Sequence, residues 1–440
     1  MNKSAFLLVT FFLIKCVSSF GTTYFVAPTG NNSNPGSIKS PFSTIMQAQE
    51  VVEPGDTVYI RGGKFQMEEN HISTIMKIWA VVFHLNKSGK PDKRIHYFAF
   101  PGEKPVFDFS KVKPVNQRIM AFKVTGSWIH IRGIEVTGVQ VTILTHTQSE
   151  CFHNEGSNNI YEQLSMHDGQ AIGFYLTKGS DNLILNCDAY NNKDTISEGG
   201  RGGNVDGFGC HPQQGGTGNV FRGCRAWFNS DDGYDCIRAA ETVVFENCWA
   251  FYNGYDADFK SLGDGNGFKA GGWGLKKDDR VPDSIPGHVV RFCLAVKNKA
   301  NGFYSNHHPS GSIWINNTAW LNGTNYNMLN RNADFTEDVP GFGHELYNNL
   351  SFEPRTYETQ HIDYNKCTLN NNSFNLNLNI TVQDFENLNL NHLTQVRNSD
   401  GSLPVTGFMK PSEKSKLIDK GVIKGFPYKG KAPDLGAFER

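Results

Sequence analysis

Five short segments share one pattern: "NCDAYNN" from Asn186, "GCRAWFN" from Gly223, "NCWAFYN" from Asn247, "FCLAVKN" from Phe292 and "NNTAWLN" from Asn316. Aligned on Ala189, Ala226, Ala250, Ala295 and Ala319, they place a cysteine two residues before the alanine in the first four copies and an asparagine three residues after it in all five. The alanines lie 37, 24, 45 and 24 residues apart, and a unit of 24 with insertions explains all four spacings. Repetition on this scale, with short alternating strands, Asn and Gly turns and no helical period, is what a parallel β-solenoid requires. Coils then stack with equivalent residues about 4.8 Å apart.

Stacking converts each alignment column into a ladder. Cys187, Cys224, Cys248 and Cys293 are expected to face inward as free thiols, which behave as small apolar groups. Asn192, Asn229, Asn253, Asn298 and Asn322 form a second column, whose side-chain amides can satisfy the backbone of the turns. "IEVTGVQ" from Ile134 and "LSMHDG" from Leu164 read as weaker coils. Upstream, "FSTIMQAQEVVEPGDTVYIRGG" predicts a short amphipathic helix with Ile45, Ala48 and Val52 on one face, suited to cap the open end of a solenoid. After about Phe352 the repeat fades, and 353–440 is read as a C-terminal closing segment. Residues 20–440 are thus expected to form one all-β domain.

The first residues, "MNKSAFLLVTFFLIKCVSSF", combine a lysine, an apolar run from Ala5 to Ile14 and small residues. They read as a signal peptide over 1–19, with export to the periplasm or the medium. The run is shorter than the roughly 20 residues of a membrane span, and no later segment supplies one. Lipid attachment through Cys16 is the less favoured route, because Lys15 is an unusual neighbour for it. Lys and Arg total 42 against 43 Asp and Glu, so no basic field draws the chain to nucleic acid or an anionic membrane. A monomer is expected.

A second recurring element, Gly plus an aromatic, occurs at Gly173, Gly207, Gly233, Gly267 and Gly302. Immediately before it stand Ile172, Asp206, Asp232, Asn266 and Asn301; two residues after it stand Tyr175, Gly209, Asp235, Lys269 and Tyr304. Asp206, Asp231, Asp232 and Asp235 therefore converge on one patch from adjacent coils. Stacked carboxylates repel unless a cation compensates them. Ca²⁺ suits such a set, since it accepts six to eight oxygen ligands with tolerant geometry. No His and Cys cluster has zinc spacing, and "DADFKSLGDGNG" from Asp256 fails the EF-hand template at Lys260 and Ser261. Lys269 occupies the slot of Asp235 one coil on, where it could act as a neutral base. Arg238 is placed to hold a substrate carboxylate; Arg201, Lys260, Lys276 and Lys277 are weaker candidates for that role. Insertions "KDTISEGGRGG" and "GYDADFKSLGDG" grow from the coils on either side, as cleft walls would.

At "NVDGFG" around Asp206, "SDDGYD" from Ser230 and "NGFKAGG" around Lys269, the chain resembles the calcium-dependent pectate lyases of polysaccharide lyase family nine. The resemblance extends over most of the mature chain, including "TYFVAPTGNN" and the cap helix. It implies a right-handed parallel β-helix, Asp206, Asp231, Asp232 and Asp235 as calcium ligands, and Lys269 as catalytic base. The implied reaction is β-elimination on a galacturonate-containing pectic polysaccharide. Pectate is the preferred substrate, and rhamnogalacturonan I is the alternative within the same family. A polygalacturonase-type hydrolase is a rival, but its Gly-His-Gly and Arg-Ile-Lys elements are missing: Pro212 follows His211, and Val289 follows His288. A non-catalytic solenoid with structural calcium is the other.

Overall fold

The computed structural model describes residues 21–145, 148–273 and 280–440. The expected signal peptide, Cys16, Lys276 and Lys277 lie outside the described residues. The strands form three long, almost wholly parallel sheets of 12, 10 and 11 strands. Each coil contributes one short strand to each sheet in turn, as Val243–Glu246, Trp249–Phe251 and Phe268–Lys269 do. One α-helix is present among the described residues, Ile45–Val51. Its N-cap Thr44 accepts a hydrogen bond from the Gln47 N–H at 3.2 Å, and Ile45, Ala48 and Val52 are buried as the sequence predicted. The helix lies against the strands Thr23–Val26 and Trp79–Leu85, covering the first coil.

The alanine column is the register of the second sheet: Ala189, Ala226, Ala250, Ala295 and Ala319 are successive strand partners. The two weaker coils join it through Val136 and Met166. The four column cysteines are fully buried and free, as expected. Their thiols donate to main-chain carbonyls; Cys248 Sγ, for example, lies 3.4 Å from the Phe221 oxygen. The asparagine column is a continuous amide ladder, with Nδ2 to Oδ1 steps of 3.2, 3.1, 3.0 and 3.0 Å from Asn192 to Asn322. Each amide from Asn229 on also donates to the carbonyl of a column alanine. A buried turn thus leaves no polar group unpaired, which is why asparagine recurs there. The cysteine column itself continues as asparagine: Asn317, Asn349 and Asn372 form a second ladder that the sequence reading did not follow.

The repeat glycines allow close approach between coils. A Cβ on Gly207 would sit 2.7 Å from the Ala226 Cβ and 2.8 Å from the Gly233 oxygen. The aromatic after each glycine points inward, and Phe208, Tyr234, Phe268 and Phe303, continued by Tyr326 after Asn325, stack with centroids 5.0, 4.7, 5.2 and 5.0 Å apart.

Strand alternation turns the flanks of each column alanine outward, and from Trp227 to Trp320 those flanks are apolar except for Thr318. Beyond Phe352 the chain adds strands Tyr357–Gln360 and Thr368–Asn370 to the third and first sheets. It then returns along the outer face of the second sheet, where Phe385, Leu393, Phe408 and Leu417 bury Trp249, Phe251, Trp320 and Phe352. Charge fixes the strap in place: Arg397 pairs with partly buried Asp188 at 2.6 Å, alongside Arg225 at 2.7 Å. Nearer the C-terminus, Asn316 Nδ2 donates to the carbonyls of Asp434 and Gly436, both at 3.0 Å.

Candidate active site

Phe208–Cys210, Tyr234–Asp235 and Phe268–Lys269 are adjacent strands of the third sheet, paired as Gly209 to Asp235 and Asp235 to Lys269. Tyr175 and Tyr304 extend the same outward column on either side. The predicted column is therefore the observed register. Asp206 and Asp232 stand just before these strands, and the Asp232 N–H donates to Asp206 Oδ1 at 3.0 Å. All four aspartates are buried, Asp232 completely.

Main-chain and amide donors aim the carboxylates. Asp232 Oδ1 accepts from both the N–H and the Nδ2 of Asn266, at 2.6 and 2.8 Å. Asp235 Oδ1 accepts from the Ile237 N–H at 2.7 Å. Asp231 accepts from the N–H of Asn204 at 2.8 Å and of Asp264 at 2.7 Å. Asp264 lies in the second insertion that the sequence marked as a wall and Asn204 directly follows the first, so both loops close on one aspartate.

Lys269 Nζ lies 3.0 Å from Asp232 Oδ2 and 3.1 Å from Asp235 Oδ2. Burial acts to lower the pKa of Lys269, but the charges of Asp232, Asp235, Asp231 and Asp206 outweigh it and hold the ammonium well above its ordinary value. Burial, reinforced by the neighbouring acids, raises Asp206 well above the carboxylate range. Burial likewise raises Asp231, and it pushes Asp232 up to about 7 against the charge of Lys269. The patch is thus short of positive charge even with the lysine in it.

Two sets of carboxylate oxygens lie within 4.8 Å of one another: Asp206, Asp232 and Asp235, and Asp231, Asp232 and Asp264. Asp232 Oδ2 belongs to the buried atoms that make no hydrogen bond; its contact with Lys269 is an ion pair alone. Hard oxygen donors, a charge deficit and an unsatisfied buried oxygen together suit a hard divalent cation. Asp264 is an addition to the predicted set; the sequence placed it in a cleft wall that fails the EF-hand template, and its fold back onto Asp231 has no local signal.

The cluster opens into a cleft of about 760 Å³. Arg238 lines it, with its backbone in the left-handed region at φ 61°. Arg201 and Lys260 are exposed and lie elsewhere. Trp273 and Arg280 complete the wall from a further insertion after Lys269 that the sequence reading passed over.

The chain matches the family model described as "Pel9A-like, right handed beta helix region" over residues 24–349. Pectate lyase L of Dickeya chrysanthemi is 36% identical over 428 residues, spanning 95% of this chain and 90% of that protein. A solved structure titled rhamnogalacturonan lyase superposes with a TM-score of 0.86 at 46% identity, covering 89% of this chain and 97% of its own. Pectate lyase Pel9A superposes with a TM-score of 0.78 at 32% identity, covering 96% and 97%. With this breadth of match, the chain belongs to the Pel9A-like family of right-handed parallel β-helix polysaccharide lyases.

Proposed function

We propose that the protein cleaves a galacturonate-containing pectic polysaccharide by calcium-assisted β-elimination, with Lys269 as base. The observation that carries this reading is Lys269 held 3.0 to 3.1 Å from two buried aspartates at the floor of the cleft. Asp206, Asp231, Asp232 and Asp235 would hold Ca²⁺, which when bound supplies Lewis-acid stabilisation of the charge that develops on the C6 carboxylate. With the carboxylates compensated in this way, burial becomes the main influence on Lys269, and burial favours its neutral form. Neutral Lys269 takes the C5 proton, C4 and C5 become doubly bonded, and the C4–O bond breaks as the leaving oxygen is protonated. Arg238 would bind the substrate carboxylate.

The unsaturated product absorbs in the ultraviolet, so the test is absorbance released from polygalacturonate and rhamnogalacturonan I, with and without chelator. Absorbance that the chelator abolishes supports the reading; reducing ends without absorbance would point to hydrolysis. Pectate is one candidate substrate. Rhamnogalacturonan I is a second, supported by 46% identity to the rhamnogalacturonan lyase structure against 32% to Pel9A. The apolar N-terminal run supports export, and action as a monomer completes the proposal.

A further inference from the structure

The cleft has two unlike halves. Around Asp235 and Lys269 it is charged, with Arg238 and Arg280 in its wall. On the upstream side, beyond Asp206, it is lined by Gln148, Tyr175, Thr177, His211, Gln213 and Gln214, none of which carries a fixed charge.

Gly209 is what makes the neutral half a hollow. It sits in the register between Tyr175 and Asp235 and presents no side chain. A Cβ there would lie 2.5 Å from the Tyr175 ring and 2.9 Å from His211 Nε2, so both rings close over the glycine. Their centroids are 4.9 Å apart. His211 Nδ1 lies 2.6 Å from the Ile237 carbonyl and donates to it, which leaves Nε2 of the neutral ring as an acceptor above Gly209. Burial keeps His211 below its ordinary pKa, in keeping with a neutral ring. Tyr175 is stacked on His153, which Glu150 and Glu155 hold at 2.6 and 3.1 Å. The charges that act on Tyr175 are those of Glu150, Asp235 and Asp206 against that of Arg118, so the balance at the hollow repels another anion.

We infer that Tyr175, His211 and the bare backbone of Gly209 form a subsite, next to the reacting sugar, for a neutral, hydroxyl-bearing sugar. This rests on the lyase reading above and narrows it. A pyranose unit advances along a polysaccharide about as far as one coil rises, so neighbouring sugars meet neighbouring coils. Every sugar of homogalacturonan carries a carboxylate, which here would be desolvated facing an acceptor nitrogen and an acid. Rhamnogalacturonan I alternates galacturonate with neutral rhamnose, whose hydroxyl can donate to His211 Nε2. The subsite thus selects the alternating polymer.

The test compares kcat/KM on rhamnogalacturonan I and on polygalacturonate for the wild type, Gln213→Lys, Gln214→Lys and Tyr175→Phe. Gln213 and Gln214 are exposed, so their lysine variants retain the fold. We expect the wild type to favour rhamnogalacturonan I by about tenfold or more, the penalty of one unpaired desolvated polar group. Each lysine should move the ratio toward polygalacturonate roughly threefold, as an added solvent-facing ion pair does. Tyr175→Phe should raise KM on rhamnogalacturonan I with little change in kcat. A ratio that the lysines leave unmoved, or a wild type that prefers polygalacturonate, overturns the subsite while the lyase reading stands. Absence of unsaturated product from both polymers overturns the two together.

Discussion

Replacing Lys269 by alanine separates its chemical duty from its electrostatic one. This ammonium lies within 3.1 Å of two carboxylates, its side chain 11% exposed and that of Asp232 fully buried. Removing one partner of such a pair costs about 3 to 5 kcal/mol, because the other charge stays behind unpaired. Proton uptake limits the loss: Asp232 already stands at about 7, so near neutral pH it protonates at little cost, and the cost grows by about 1.4 kcal/mol for each unit of pH above that value. The lower end, about 3 kcal/mol, is therefore expected at pH 7. An unfolding entropy of about 2 cal/mol/K per residue converts this to a fall in Tm of about 3 to 4 °C for a chain of this length. With saturating Ca²⁺ the aspartates no longer need the lysine, and the difference should shrink below about 1 °C. Calcium would then stabilise Lys269→Ala more than the wild type and bind it more tightly, while turnover falls by at least about 10²-fold. Thermal melts in chelator and in Ca²⁺, calorimetric titration and the ultraviolet assay measure all three. Equal destabilisation with and without calcium would refute the argument that lysine and cation answer one charge deficit, and full turnover in the variant would refute the base.

Proton linkage gives a second expectation. Asp232 is raised in the folded state from an ordinary value near 4 to about 7, so the cation-free fold holds more protons than the unfolded chain across that window and loses stability as pH rises through it. The gain in Tm on adding Ca²⁺ should accordingly be larger at pH 8 than at pH 5, and an equal gain at both would count against these carboxylates as ligands. Asn253→Ala should cost roughly 2 to 4 kcal/mol, since the amide donates to Ala226 and Asn298 and accepts from the Asn229 main chain; urea unfolding with a lowered midpoint and unchanged slope checks it. Deleting residues 377–440 uncovers Trp249, Phe251 and Trp320, so the truncated protein should aggregate or bind ANS, and a soluble, monodisperse product would contradict the packing described.

What the sequence made legible was whatever repeats. Ala189 to Ala319, the thiols and the amide ladder follow from the alanine alignment, and the stacking of Asp206, Asp232, Asp235 and Lys269 from the Gly-aromatic one, because a solenoid turns a period in sequence into adjacency in space. The cap helix was legible for a different reason: the Ile45, Ala48, Val52 face is a local signal. Contacts that do not repeat were not readable. Asp264 reaches Asp231 only because an insertion folds back, Trp273 and Arg280 come from another, and His211 meets Tyr175 through the bareness of Gly209. The strap was visible only as loss of pattern, although the paired apolar flanks of "WAF" and "LAV" and the tryptophan of "TAW" did record that something had to cover them.

That strap has a bearing on how the molecule comes apart. A bare solenoid frays from its ends, one coil after another, because each coil is bonded only to its neighbours. Here Arg397 ties the strap to the coil of Asp188, and Asp434 and Gly436 tie it to the coil of Asn316, so the coils carrying Asp206, Asp235 and Lys269 lie between two fastenings. Hydrogen exchange in that stretch should report a single cooperative opening, with slow exchange distributed evenly from one fastening to the other and steeper gradients only outside them.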